Sequence, residues 1–355
     1  MVTPSAAFWT GKRVFLTGHT GFKGSWMTML LHRLGAQVTG YSLPEPVSTP
    51  SLFDLARLGE LCDDVRGDIR DGSRLSGALI AAKPDVVIHM AAQPIVRLSY
   101  REPVETFATN VMGVVNLLDA ARRAEGLSAV LSVTSDKCYE NREQVWPYRE
   151  GDAMGGADPY SASKGCAELV TSSYARSFFA DGDCRVASVR AGNVIGGGDW
   201  AADRLIPDLV RAAVSGSQAS IRNPASIRPW QHVLDPLAGY LLAAERQCAA
   251  AGSAPFDAWN FGPNPGEELP VSEVVEVFRA TWNGRPDVVF GKAVEHEAGM
   301  LRVDSTKAKY ELGWRPCTTN QGAVEAVVNW HRGEADGQDP RKLCFADIEH
   351  LLGVA

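Results

Sequence analysis

The sequence predicts an α/β protein, a doubly wound and mostly parallel sheet followed by a smaller C-terminal lobe. Three observations lead there. Short apolar runs alternate with helix-length amphipathic segments over the first half of the chain. A glycine-rich turn, Gly18-His19-Thr20-Gly21-Phe22-Lys23-Gly24, joins the first run to the first helical segment. After about residue 192 the alternation fades into Gly196-Gly197-Gly198-Asp199-Trp200 and shorter pieces.

Each element has its own signal. Arg13 to Thr17 is a β run closed by Gly18. Residues 22–34 place Trp26, Met27, Leu30, Leu31 and Leu34 at helical spacing, and Gly35 is a natural stop. Gln37 to Tyr41 is a second strand. Asp64 to Asp68 is a third, after a loop rich in Pro and Ser. Ser73 to Ala82 reads as a helix, and Asp85 to His89 as a buried strand. A helix over 103–124, a strand over 129–134, a helix over 160–179 and a strand from Arg185 to Val189 complete the pattern. Such alternation implies right-handed βαβ crossovers, with chemistry gathered at the carboxyl ends of the strands. The expected division is a dinucleotide-binding, Rossmann-type unit over 1–192. A mainly substrate-binding lobe follows over 193–355, with the possibility that it returns strands to the first unit. Trp259-Asn260-Phe261 is read as an isolated strand-like piece, and the last 20 residues carry no clear signal.

Bulk composition excludes several classes. The 355 residues are 45% apolar and 22% charged, with a net charge of −7. These are ordinary globular values, and no basic run suits nucleic acid. Seven cysteines stand singly, with no C-x-x-C pair. That favours reduced thiols in a cytoplasmic protein over a disulfide framework or a structural zinc site, so no metal is expected. No signal-peptide pattern opens the sequence, and no apolar run is long enough to span a bilayer.

The glycine turn suits a dinucleotide. Gly18, Gly21 and Gly24 permit a tight bend and close backbone approach to a pyrophosphate at a helix N-terminus, with Thr20, Phe22 and Lys23 beside it. The second strand ends without an obvious ribose-binding acid, Glu45 being a late candidate, and without an arginine for a 2′-phosphate. The reading leans to NAD over NADP. Asp68 and Ile69, after the third strand, can contact the adenine, although a solvated loop acid is an equal reading of Asp68.

Asp158-Pro159-Tyr160-Ser161-Ala162-Ser163-Lys164 is the most specific string. Asp158 is a natural N-cap and Pro159 a natural first helical residue. Tyr160 and Lys164 then share one helix face at i, i+4. A free tyrosine titrates near about 10. A neighbouring ammonium favours the phenolate and so makes a base.

With Ser135 at the preceding strand end, these features resemble the extended short-chain dehydrogenase/reductase family over almost the entire chain. The resemblance implies that Ser135 orients a substrate hydroxyl, Tyr160 is the acid/base and Lys164 assists. His89-Met90-Ala91-Ala92-Gln93 is similar to the family segment beside the cofactor, placing Met90, Ala91 and Ala92 there. Asn110 is similar to its helix asparagine. The string Ser135-Asp136-Lys137 is similar to the T-D-E segment of nucleotide-sugar 4,6-dehydratases, where Asp is the acid and Glu the base. Lys at 137 departs from that pattern. The strings from Met154 to Tyr160, Ala191 to Trp200 and Ile221 to His232 resemble members of this branch that act on CDP-glucose. The resemblance therefore implies NAD as cofactor, CDP-glucose as small-molecule substrate, Asp136 as acid and Lys137 as base. Gln93 and Arg97 can reach the sugar. Asn193, Arg204 and Arg228 resemble positions that hold the diphosphate, a solvated or structural role being the competing reading for each arginine. Trp200 and Trp230 can flank the nucleotide or pack in a core. A helix-pair homodimer interface is implied, while the sequence itself allows a monomer. A nucleotide-sugar 4-epimerase, which needs neither Asp136 nor Lys137, is the alternative.

Overall fold

A computed structural model describes residues 2–46, 48–221, 223–249, 254–291 and 301–354. A short helix α1 (Ala6–Trp9) precedes β1 (Arg13–Thr17), α2 (Phe22–Arg33), β2 (Gln37–Ser42), α3 (Leu52–Leu55), β3 (Asp63–Arg66), α4 (Gly72–Ala82) and β4 (Val86–His89). Next come α5 (Val96–Arg101), α6 (Pro103–Phe107), α7 (Gly113–Ala121), β5 (Ala129–Val133), α8 (Pro159–Phe178), β6 (Arg185–Ala191) and β7 (Val194–Ile195). The rest of the chain forms α9 (Leu205–Ser215), β8 (Ala219–Ile221), β9 (Ile227–Arg228), β10 (Gln231–His232), α10 (Leu234–Ala249), β11 (Phe256–Phe261), β12 (Leu269–Pro270) and α11 (Val271–Thr281). It closes with β13 (Val288–Phe290), α12 (Thr306–Glu311), α13 (Asn320–Ala335) and α14 (Pro340–Leu352).

The main sheet has seven strands in the order β11-β6-β5-β4-β1-β2-β3. Every pairing in it is parallel. Strand order reverses between β1 and β4, the switch point at which such sheets open a crevice for ligands. Parallel strands are covered on both faces, which is why β4, β5 and β6 are buried at every residue. One face packs on α2, α10 and α14 through Trp26, Leu30, Leu237, Leu241 and Ile348. The other packs on α4, α7 and α8 through Leu75, Leu79, Leu117 and Ala167. A separate core of α9, α11 and α13, around Leu209, Val274, Phe278 and Val327, builds the smaller lobe.

Four details depart from the sequence reading. The segment 256–261 is not isolated: in-register pairing with Val186–Ala191 makes it the edge strand of the main sheet. The helix expected over 103–124 is broken by a wide π turn at Ala108–Met112. The C-terminal stretch forms α14, capped by Asp339, with Cys344, Ile348 and Leu352 buried at i, i+4, i+8. Finally, the chain after β5 does not stay extended, because Asp136–Cys138 coil into a 3₁₀ turn capped by Ser135.

Candidate active site

The glycine turn leaves β1 at the switch point. Gly18 has φ +76°, and a Cβ there would lie 2.7 Å from the Ala91 backbone nitrogen. A Cβ on Gly24 would fall 2.0 Å from the Gly18 carbonyl oxygen. Both positions require glycine for close backbone packing. Gly21 caps α2 with no side-chain hydrogen bond, and the first turn carries no acidic residue. That helix end is free of competing anions, so these residues fit the pyrophosphate of a dinucleotide. Thr17 Oγ1 braces the opposite wall, accepting the Met90 and Ala91 amides at 3.1 and 3.2 Å and bonding His89 Nδ1 at 2.7 Å.

At the far end of this crevice, His19 sits wholly buried between Ser42 Oγ at 3.0 Å and Asp64 at 2.9 Å. Arg66 donates to the carbonyls of Leu43 and Pro44 and pairs with Asp64 at 2.6 Å. This polar set stands at the ends of β2 and β3, where an adenosine ribose would lie. Sequence reading missed it because it is assembled from separate strands. Glu45 is exposed. Asp68 spends its carboxylate on Arg70 at 2.5 Å, which holds it below the usual carboxylate range. The Ile69 side chain is buried against Gly113.

Lys23 reaches past the turn to Tyr240 on α10, donating to its hydroxyl at 2.9 Å. Burial, with Lys164 and Arg204 nearby, lowers the Lys23 ammonium to about 7, against the pull of Asp136. Lys23 thus belongs electrostatically to the catalytic end as well as to the glycine turn.

The end of β5 and the start of α8 meet there. Ser135 Oγ donates to Asp136 Oδ1 at 2.9 Å and accepts the Lys137 amide at 3.3 Å. It also lies near enough to Tyr160 to favour the phenolate. Asp136 is only 2% exposed, and its Oδ2 has no partner. A Cβ on Gly192, at the end of β6, would lie 3.1 Å from that oxygen and 2.3 Å from Pro229, so bare backbone closes over the carboxylate. Lys137 is half-buried and makes no ion pair with Asp136 among the described residues. The two follow one another in a 3₁₀ turn rather than on extended backbone. Tyr160 is buried, with the Lys164 ammonium 6.0 Å from its ring centre. Burial pushes the Tyr160 phenol up to about 12, although Ser135 nearby favours the phenolate. The expected lowering by Lys164 is overturned in the protein alone, because desolvating a phenolate outweighs a cation at that distance. Burial brings Lys164 itself down to about 8, with Glu168 and Cys138 resisting.

Behind this pole lies a buried network that sequence reading missed. Glu168, one turn beyond Lys164, pairs with Arg190 of β6 and accepts from Ser188 at 2.6 Å and from Thr134. Arg190 donates on to Tyr139 at 2.6 Å, and Tyr139 to Asn260 of β11 at 2.7 Å. The spacing Tyr160, Lys164, Glu168 was its only sequence signal.

Asn110 belongs to the frame. Its Oδ1 accepts the Gln93 amide at 2.8 Å, and its Nδ2 donates to the Gln93 carbonyl and Ser163 Oγ. Ser163 Oγ in turn donates to the Tyr160 carbonyl at 2.7 Å. The π turn is what swings Asn110 between the β4 exit and α8. Its amide thus braces the β4 exit against α8. The Gln93 side chain donates to Thr106 Oγ1 and accepts the Ile95 amide.

The smaller lobe faces these residues. Arg204 pairs with Asp199 at 3.0 Å and lies close enough to Tyr160 and Lys23 to influence both. Arg97 pairs with Asp203 at 3.1 Å across the crevice mouth. Asn193 follows β6, its carbonyl taking the Gln231 amide at 3.0 Å. Arg228 lies on β9, its guanidinium on the Ile227 carbonyl at 3.1 Å. Trp230 is buried in the lobe core, and Trp200, partly exposed, packs against that core. Arg222, in the string from Ile221 to His232, lies outside the described residues.

The family model described as "GDP-mannose 4,6 dehydratase" matches residues 15–327. The chain belongs to the GDP-mannose 4,6 dehydratase family. Within reach of this family assignment, the chain is 49% identical over 338 residues to CDP-glucose 4,6-dehydratase of Salmonella typhimurium (strain LT2), covering 94% of each. It is 29% identical to dTDP-glucose 4,6-dehydratase of Streptomyces antibioticus, over 93% of this chain and 95% of that one. Among solved structures, MoeE5 in complex with UDP-glucuronic acid and NAD matches with TM-score 0.76 at 25% identity, covering 90% of this chain and 99% of that one. DesIV of Streptomyces venezuelae, a dTDP-glucose 4,6-dehydratase with NAD bound, shares the fold with TM-score 0.78 at 24% identity, over 93% of this chain and 99% of that one. No described helix of this GDP-mannose 4,6 dehydratase family member is long and apolar enough to cross a membrane.

Proposed function

We propose that this protein is an NAD-dependent CDP-glucose 4,6-dehydratase, converting CDP-D-glucose to CDP-4-keto-6-deoxy-D-glucose and water. The observation that carries the reading is the meeting of Ser135, Asp136 and Lys137 with Tyr160 and Lys164 at one strand end. An epimerase needs the tyrosine and lysine alone. A dehydratase also needs an acid and a base, and Asp136 and Lys137, with no ion pair between them, supply these roles in this reading. The 49% identity to a CDP-glucose 4,6-dehydratase supports the substrate.

NAD held at the glycine turn would supply the hydride acceptor for carbon 4 and the donor for carbon 6. The chain does the rest. Ser135 orients the 4-hydroxyl, and Tyr160 takes its proton. Lys164, whose charge opposes protonation of the phenolate, keeps Tyr160 competent. The 4-ketone acidifies the carbon 5 proton, which Lys137 removes and later restores. Asp136 Oδ2, buried and unpartnered, protonates the departing 6-hydroxyl. Arg204, Arg228 and Asn193 hold the diphosphate, arginine being suited to bidentate phosphate contacts. Residues 193–355 serve mainly as the sugar-nucleotide lobe, apart from β11.

The product feeds deoxysugar synthesis of the lipopolysaccharide type, in the cytoplasm. The exposed Tyr100, Val104, Met112 and Leu169 of α5, α6, α8 and the π turn make the homodimer surface. The reading is tested by incubating the protein with NAD and separate CDP-, dTDP-, UDP- and GDP-glucose. A 4-keto-6-deoxy product, seen by its alkali-induced absorbance, is expected from CDP-glucose. CDP-galactose as the sole product would establish the epimerase instead.

A further inference from the structure

Ser135, Asp136 and Lys137 lie on one short turn, and that turn must meet a helix face carrying Tyr160 and Lys164. The residues on either side of the turn end on the same buried ion pair. Thr134, just before it, donates through Oγ1 to Glu168 Oε1. Tyr139, just after it, accepts through its hydroxyl from Arg190 at 2.6 Å. Glu168 and Arg190 are joined by two hydrogen bonds, at 2.8 and 2.7 Å. Glu168 stands on α8 four residues beyond Lys164 and eight beyond Tyr160, so all three share one helix face.

We infer that the Glu168–Arg190 pair is a positioning device for the reaction, holding the turn at both ends in register with the helix face of Tyr160 and Lys164. The inference rests on the roles proposed above for these site residues.

The pair is built to fix a position. Glu168 Oε1 takes Thr134 and Arg190 Nε, and Oε2 takes Ser188 Oγ at 2.6 Å and a second Arg190 nitrogen. A carboxylate offers about four acceptor sites, so all are filled and the group has one orientation. Its donors come from the end of β5 and from β6, while Glu168 itself belongs to α8; three elements thus meet on one carboxylate. Arg190 also donates to the Glu150 carbonyl at 3.1 Å, and Tyr139 donates to Asn260 at 2.7 Å, which carries the frame to the edge strand β11. Both charged side chains are at most 3% exposed, and hydrogen bonds to charged groups in such surroundings are short and strong. Precision matters here, because a shift of about 1 Å in a reacting group can cost about 10²-fold in rate.

The test compares wild type, Thr134→Val, Thr134→Ser and Tyr139→Phe as NAD-loaded proteins with CDP-glucose. Each variant keeps Glu168 and Arg190, and Tyr139→Phe keeps the ring stacked on Tyr148. Thr134→Val and Tyr139→Phe are each expected to lower kcat about tenfold and to leave KM for CDP-glucose within about twofold. Thr134→Ser, which restores the hydroxyl, is expected to recover most of the loss. With CDP-glucose deuterated at carbon 4, Thr134→Val is expected to show a larger isotope effect on kcat than wild type, since a displaced Ser135 slows hydride transfer. A purely structural contact would lower the melting temperature and leave kcat and the isotope effect alone. A kcat within about twofold of wild type in either Thr134→Val or Tyr139→Phe would overturn the inference. So would a Thr134→Ser enzyme as slow as Thr134→Val. CDP-galactose as the sole product of wild type would instead overturn the dehydratase reading. The Thr134 comparison, made on that reaction, would still decide the inference, because Ser135, Tyr160 and Lys164 serve both reactions.

Discussion

Glu168 and Arg190 are ion-paired at 2.7 Å with both side chains almost fully buried, immediately behind the strand end that carries Ser135 and Asp136. Removing one partner of such a pair strands a charge in the interior, at a cost of about 3–5 kcal/mol. Glu168→Gln is therefore expected to lower the denaturant midpoint strongly, and Glu168→Leu combined with Arg190→Met to do less harm than the two single changes added. Equilibrium unfolding of wild type and the four variants checks this. Burial alone would push the Glu168 carboxyl up. Arg190, with the Ser188 and Thr134 hydrogen bonds, more than offsets that and holds it below its ordinary value. Its contribution to stability is thus complete above about pH 4.3 and is lost as pH falls through the lower folded value.

Asp347 gives the opposite sign. Burial raises its carboxyl to about 7, and its Oδ2 has no partner. Stability from the neutral acid is present below the unfolded value of about 3.9 and is lost as pH rises through about 7. Asp347→Asn is expected to melt above wild type at pH 8 and level with it near pH 4. Thermal melts at the two pH values are the measurement.

Much of this framework is legible in the linear chain, and the failures share a cause. Strands β1, β2, β4 and β5 show as apolar runs, because a parallel strand is buried on both faces. Tyr160 and Lys164 show because one helix carries both. Asp136 and Lys137 show as a pair, but their geometry does not, since a 3₁₀ turn leaves no periodic trace in three residues. The roles of Asn110 and Gln93 are hidden for the same reason, since a π turn looks like ordinary helix in sequence. His19, Ser42, Asp64 and Arg66 converge from three strand ends, and Arg190 meets Glu168 across a strand–helix contact. Tertiary packing alone brings these residues together.

Two glycines of the nucleotide turn are expected to differ sharply. A Cβ at Gly24 would meet the Gly18 carbonyl oxygen at 2.0 Å, while one at Gly21 would lie 3.4 Å from it. Gly24→Ala must shift backbone and is expected to weaken NAD binding more than tenfold. Gly21→Ala is expected to weaken it only a few-fold. Calorimetric titration of each variant with NAD reads the difference.

The acid/base pair has a pH signature. Lys164 loses its charge near pH 8, because burial lowers it to about that value. Without that ammonium the Tyr160 phenolate is disfavoured, so kcat/KM is expected to fall as pH rises through about 8. Tyr160→Phe is expected to lose about 10²–10⁴-fold in turnover at any pH. Steady-state profiles from pH 5 to pH 10 test both statements.

Lys137 is placed to act only after the sugar is oxidised. Lys137→Ala is expected to reduce bound NAD on mixing with CDP-glucose, seen as nicotinamide absorbance that persists, and to make little 4-keto-6-deoxy product. Normal turnover in this variant would remove Lys137 from the reaction.

The most direct test of the central claim follows one atom. CDP-glucose deuterated at carbon 4 is converted by the NAD-loaded enzyme, and the product is examined by proton NMR and mass spectrometry. A dehydratase built on Ser135, Asp136, Lys137 and Tyr160 must place that deuterium in the carbon 6 methyl group of a 4-keto sugar. Deuterium retained at carbon 4, in glucose or galactose, would contradict it.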